Sequence, residues 1–343
     1  MIMKKVLRTA FALAIGLALI ASNVQAGEIG HYNPGVLNIR DFVLPEPGFY
    51  TAIYNYYYTT DRLNDRDGDE IDSITIRRGD GPGVTLGLDV DVDVYALAPT
   101  FLWVSEWKIL GAKYGAYISP SFANSSVGAA LSTQSGTGRD AETSSFDLGD
   151  LCVQPLWLGW SLKQWDLALG YAFYAPVGRY NTEEVTLSEI GTITAEAADN
   201  IGLGFWTHQF QGAASWYPWA DKRMAVATAL TYEIHGEKED FDLTPGQNLT
   251  LNYGISQYLP VSKDQKLLLE VGPTGYSSWQ ITDDSGDDAR NSDVHDEVHA
   301  AGMQLGLTYI PWHAVLNAHY FYEYAAEDRF QGQVLGLSLA MKF

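Results

Sequence analysis

Two pairs of residues in this chain have types and spacing that could do acid–base chemistry: Glu233 with His235, and His319 with Glu323. In an extended chain, residues two or four positions apart share one face. Each pair could therefore hold an imidazole beside a carboxylate, the arrangement used for proton transfer. Phe321 lies on the same face as His319 and Glu323, and Glu270 is a further acid in an otherwise apolar run. Polar side chains on the inner face of a sheet more often satisfy one another than catalyse. The chain has no Gly-x-Ser-x-Gly elbow, no Gly-rich phosphate loop and no CxxC pair. Its lone Cys152 excludes an intramolecular disulfide and reads as apolar filler inside a strand. No cofactor and no metal is expected.

Three other groups carry charge in a pattern. Asp89, Asp91 and Asp93 form a ladder on one face of a strand. Such a ladder repels itself unless water or cations reach it. It reads as an acidic patch near the mouth of a lumen, or as a solvated strand end. Asp65, Asp67 and Asp69 have calcium-loop spacing, but Leu63 stands where an oxygen ligand is required. Arg40 and Asp41 sit in a Pro- and Gly-containing segment, 27–47, ahead of the first strand. That segment is too short to fold alone. It is expected to fold into the barrel as a plug that uses His31, Tyr32, Asn38, Arg40 and Asp41, with Arg40 paired to Glu233, Glu270 or Glu323. A periplasmic tail is the alternative.

The elements that position these residues are strands. Leu335, Leu337, Leu339, Met341 and Phe343 alternate with Gly336, Ser338, Ala340 and Lys342. One face is apolar and the other small or polar, as in a wall between lipid and lumen. Similar alternation predicts twelve strands, at about 48–60, 89–104, 112–123, 148–161, 166–176, 200–217, 224–235, 248–260, 266–279, 299–310, 314–324 and 331–343. Short and long connections alternate along the chain, and most of the acids fall in the long ones. Trp103, Trp107, Trp160, Trp165, Trp216, Trp219 and Trp312 lie at or beside the short ones. Long acidic outer loops, short inner turns and an aromatic belt are features of an outer-membrane barrel.

Residues 1–26 read as a cleaved export signal: Lys4, Lys5 and Arg8, an apolar run, then Val24-Gln25-Ala26. The whole chain has 42 acidic and 21 basic residues; without the leader, which holds three cations and no acid, the balance is 42 to 18, or −24. Nucleic acid is excluded as a partner by that charge. The expected architecture is therefore an all-β antiparallel transmembrane barrel at 48–343, preceded by the segment at 27–47 and located in the bacterial outer membrane. Its expected surroundings are outer-membrane lipid and lipopolysaccharide.

Several stretches resemble one family: Gly30-His31-Tyr32, Pro34 to Asp41, Pro47-Gly48-Phe49-Tyr50, Asn55-Tyr56-Tyr57-Tyr58, DVDVDVYALAP at 89–99, Trp107 to Ala112, GDLCVQPLWLGW at 149–160 and GYAFYAPVGRY at 170–180. The chain is similar over nearly its whole mature length to the family named for the MetA pathway of phenol degradation, a group of outer-membrane barrels. The resemblance implies passage of small apolar, aromatic solutes. Tyr57, Tyr95, Tyr117 and Phe321 are then candidates for an aromatic path, and His319, Glu323, Glu233 and Glu270 for its polar lining. The terminal Phe343 resembles the signal read by the barrel-assembly machinery. A barrel-wall hydrolase and a structural or surface-interaction barrel are the alternatives.

Overall fold

The computed structural model describes residues 29–76, 84–133, 136–143, 146–187, 191–197, 200–289 and 292–343; the expected export signal at 1–26 lies outside them. In chain order the strands are β1 (Gly48–Thr60), β2 (Ser73–Ile76), β3 (Val84–Ile109), β4 (Ala112–Ser119), β5 (Phe122–Thr133) and β6 (Gly136–Thr143). Then come β7 (Asp147–Leu148), β8 (Leu151–Ser161), β9 (Trp165–Ala175), β10 (Thr182–Leu187), β11 (Gly191–Glu196) and β12 (Thr207–Trp216). The last six are β13 (Met224–His235), β14 (Asn248–Pro260), β15 (Leu267–Gln280), β16 (Glu297–Tyr309), β17 (Ala314–Glu327) and β18 (Gln333–Lys342).

Twelve of these strands form a closed antiparallel barrel: β1, β3, β4, β8, β9 and β12 to β18. Closure comes from β1, which pairs with β18 on one side and β3 on the other. A closed sheet leaves no backbone donor or acceptor unpaired at an edge, which is what a strand protein in lipid requires. Large apolar side chains such as Leu169, Phe210, Leu230, Ile255, Leu305, Leu316 and Leu337 face outward. Their neighbours Ala172, Ala229, Asn252, Gln304 and Asn317 face inward and are buried.

The two ends of the barrel differ. At one end the turns are tight. Leu110 and Gly111 both adopt positive φ, 52° and 81°, between β3 and β4, the twist that suits a two-residue hairpin. At the other end the connections are long, and several carry extra strands. β3 runs past the barrel rim, where β2 and β5 pair with it, β6 pairs with β5, and β10 forms a hairpin with β11. The long connections expected at 61–88, 124–147 and 177–199 thus contain strands of their own. The expected strand at 200–217 begins only at Thr207, because Ile201 to Phe205 turn in over the barrel mouth.

One local slip matters for the lumen. Pro155 lies inside β8 and has no N–H for the ladder. The register shifts there against both neighbouring strands. As a result Cys152 and Gln154 face inward, and so do Trp157 and Gly159, although strict alternation would turn the second pair outward.

Candidate functional site

Residues 30–46 thread the barrel lumen from the long-loop end to the tight-turn end, then join β1. The descent can be followed through their wall partners. His31 sits at the long-loop end. Its Nε2 is 2.9 Å from Asp150 Oδ2 and its Nδ1 is 2.7 Å from Thr207 Oγ1. Its ring stacks on Tyr174 at 4.8 Å and meets the edge of Phe205 at 5.0 Å. Asp150 also accepts the backbone N–H groups of Gly178 and Leu203. The same carboxylate thus ties the connection after β9 to the head of the segment.

Below this, the backbone N–H of Tyr32 donates to Glu233 at 3.0 Å, and that of Gly35 donates to Asn252 Oδ1 at 3.0 Å. Asn252 in turn donates to the Tyr32 hydroxyl. Gly35 has φ +77°, and a Cβ there would lie 2.9 Å from both Phe321 and Tyr276. Only glycine fits that turn without strain. Further down, Asn38 donates to Ser338 Oγ at 2.9 Å and to Asp41 Oδ2 at 2.6 Å. The backbone N–H of Ile39 donates to Gln304 Oε1 at 2.9 Å. Wall side chains therefore satisfy several donors of a segment that has no regular structure, as buried backbone requires.

Arg40 anchors the tight-turn end. Its Nε donates to Glu270 Oε1 at 3.0 Å, and its two terminal nitrogens donate to the carbonyls of Lys222 and Arg223. Its guanidinium carbon lies 4.0 Å from the centre of the Tyr258 ring. Of the three acids expected as partners, Glu270 is the one it meets. Glu233 holds the Tyr32 backbone instead, and Glu323 accepts from Tyr58, Tyr276 and the Gly332 N–H.

Apolar packing fixes the segment as well. Ile39 and Phe42 are buried against Ala227 and Ala229, and Leu44 against Val104, Trp157 and Ala168. Glycines make this fit possible: Ile39 lies over Gly254, and Leu44 over Gly115 and Gly159. Each such side chain contributes about 1.5–3 kcal/mol when fully buried.

From Tyr32 to Arg40 the segment is held against β13 to β18. On its other side a cavity of about 490 Å³ remains. Its far wall is Ala52, Tyr54 and Tyr56 of β1, Val94, Ala96, Ala98 and Leu102 of β3, Tyr117 of β4, and Cys152 and Trp157 of β8. The lining runs from Asp150 and Leu203 near the long-loop end to His313 and Met341 near the tight-turn end. It is mostly apolar, with hydroxyls from tyrosine, serine and threonine.

The expected site residues divide as follows. His31, Tyr32, Asn38, Arg40 and Asp41 all lie in the lumen, as do Tyr117, Glu233, Glu270, His319, Phe321 and Glu323. His319 rests over Gly336, with its Nδ1 3.3 Å from Asn38 Oδ1. Tyr57 and Tyr95 do not line the lumen. They stand opposite each other on the outer face of the β1–β3 ladder, where Tyr57 donates to Asp93 and Tyr95 to Asn55. Tyr56 and Tyr58, one position away, point inward.

The aspartate ladder is also outside. Asp89, Asp91 and Asp93 share the Tyr95 face of β3, while Leu88 and Val92 on the opposite face are buried. It is therefore the outer surface of a strand extension and not the lining of a lumen mouth. Asp65 closes its own turn by accepting the N–H groups of Asp67 and Asp69. Among the described residues no three His, Cys, Asp or Glu side chains converge as a metal site.

The acid–base pairs are engaged with their neighbours. His235 contacts Thr207 and Asn248, and the two carboxylates hold the groups named above. Asp150, Thr207, Asn252, Gln304 and Ser338 have clear roles here that were not expected from the sequence. The signal for the last three was their inward parity on strands of otherwise small residues. Asp150 and Thr207 had none.

A model of the family described as "Putative MetA-pathway of phenol degradation" matches residues 60–339. Among solved structures, the chain is similar to an outer membrane channel from Pseudomonas putida F1. Identity is 16%, coverage is 91% of this chain and 100% of that one, and the TM-score is 0.56. That likeness shows a shared outer-membrane barrel fold. Looser likenesses, each at 10% identity, are to the beta domain of the Bordetella autotransporter BrkA (87% of this chain, 100% of that one, TM-score 0.47) and to the translocator domain of the autotransporter NalP from Neisseria meningitidis (89% and 92%, TM-score 0.46). None of the curated proteins matches in sequence.

Proposed function

Because the chain belongs to the phenol-degradation MetA family, we propose that it is an outer-membrane channel through which small apolar, aromatic solutes diffuse passively into the periplasm. The observation that carries this reading is the slot between segment 30–46 and the wall formed by β1, β3, β4 and β8. It extends along the barrel and is lined by alanine, valine, leucine and aromatic side chains. An apolar lining favours apolar solutes over the hydrated ones that wide porins admit.

In this reading the long loops face outward and the tight turns face the periplasm. The segment is a plug that narrows the lumen. The apolar outer face meets outer-membrane lipid and lipopolysaccharide, and Phe343 presents the chain to the assembly machinery. A barrel-wall hydrolase is less well supported. The hydroxyls that touch an imidazole are those of Thr207, Ser277 and Tyr171 among the described residues, and none of them lines the slot. A closed surface-interaction barrel is less well supported too, because it gives the slot no role.

The test is uptake of radiolabelled toluene and phenol at low concentration by cells with and without the gene. Faster uptake with the gene is expected. Equal uptake would count against the channel.

A further inference from the structure

Asp41 is the one acid of the slot lining that has neither a cation nor a full set of donors among the described residues. The Asn38 side chain and Tyr54 donate to its Oδ2 at 2.6 and 3.1 Å, the Asn38 backbone N–H reaches the same oxygen at 3.4 Å, and Oδ1 has no hydrogen bond among the described residues. The other carboxylate of the lining, Asp150, is satisfied through both oxygens by His31, Gly178 and Leu203. The neighbouring cation, Arg40, is committed to Glu270. The lining that Asp41 shares includes the apolar residues Leu37, Val43, Ala52, Leu102, Val315 and Ala340.

An anionic acceptor in such surroundings is costly unless a donor reaches it.

We propose that Asp41 Oδ1 is a recognition point for one hydrogen-bond donor, a hydroxyl or an ammonium, carried on an otherwise apolar solute. This rests on the channel reading and adds the polar half of the solute to it. The body of the solute lies along the alanine and valine wall, and its donor faces Asp41. Carboxylates are repelled, and an arene with no donor passes without engaging the site. Tyr54 and Asn38 are positioning residues: by occupying Oδ2 they aim Oδ1 at the slot.

The experiment compares Asp41→Asn with the wild-type chain, both expressed full-length in cells lacking the gene, at matched levels of folded barrel. Four radiolabelled solutes of similar size are used: toluene, phenol, benzylammonium and benzoate. The substitution should lower gene-dependent uptake of phenol and benzylammonium at least about tenfold, the equivalent of ~1.4 kcal/mol. Toluene uptake should stay unchanged and that of benzoate should rise. A loss for benzylammonium alone would assign the site to cations; a loss for both assigns it to donors in general. If toluene uptake depends on the gene but the phenol-to-toluene ratio is the same in both proteins, the Asp41 inference is overturned and the channel stands. If toluene uptake does not depend on the gene, the channel reading itself fails. Unchanged toluene uptake also shows that the variant has folded.

Discussion

Arg40 and Glu270 form an ion pair at 3.0 Å across the lumen, with the carboxylate side chain only 2% exposed. The two residues are 230 positions apart in the chain. The pair fixes where the irregular segment meets the wall, and Tyr258 covers it from one side.

Removing one partner should free the lower half of the segment. Breaking a buried pair costs about 3–5 kcal/mol because the remaining charge is left without compensation. Arg40→Ala and Glu270→Gln should both raise single-channel conductance in planar bilayers, while the barrel still resists unfolding in cold detergent. Unchanged conductance in both variants would mean that the segment is held without the pair.

Gly35→Ala should loosen the segment at its upper turn. Positive φ costs a residue with a Cβ about 1–2 kcal/mol, and the added methyl would press on Phe321 and Tyr276. The expected result is faster proteolysis within residues 29–46 of the folded barrel. Equal cleavage rates would show that the turn rearranges freely.

Cys152 is a built-in probe of the slot, because it is the single cysteine and lines the cavity. A small thiol reagent should modify it slowly in the intact protein. Deleting residues 28–44 should raise the rate at least about tenfold, or ~1.4 kcal/mol in effective access, and should raise conductance as well. A rate and a conductance that ignore the deletion would rule out a plug.

Deleting Phe343 should act on assembly and leave the finished barrel nearly intact. The side chain is 76% exposed, so it packs little against the fold. The amount of heat-modifiable barrel in outer-membrane fractions should fall several-fold, with little change in thermal stability of what does assemble. Normal yield would remove Phe343 from the assembly signal.

The wall strands are legible in the sequence because lipid on one side and lumen on the other impose a period of two. Where both faces are aromatic, that contrast disappears. Tyr54, Tyr56, Tyr57 and Tyr58 of β1 are alike in type, so nothing local says that Tyr57 points outward. Tyr95 follows it through the ladder. The aspartates of β3 alternate cleanly, but alternation alone does not say which face is the lumen once the strand leaves the barrel. The β5–β6 hairpin is built from small and polar residues and has weak periodicity. The slip in β8 had one visible signal, Pro155 within a continuous strand. Charge complementarity narrowed the Arg40 partner to three inward acids. Choosing among them needed the height of each acid along the barrel, which sequence spacing does not supply.

The half of the wall that grips the segment sets an order on biosynthesis. Tyr32 is held by Glu233, 201 positions later, and Asn38 by Ser338, 300 positions later. The stretch made before any strand therefore has no seat until the last strands exist, and such distant pairings form slowly. It must wait as loose polypeptide while the sheet grows, and it must be inside when β1 and β18 join. The seam between the first and last strands is thus the step that commits the passenger: a chain that zips up too early would become an empty tube, with its own leading segment stranded outside.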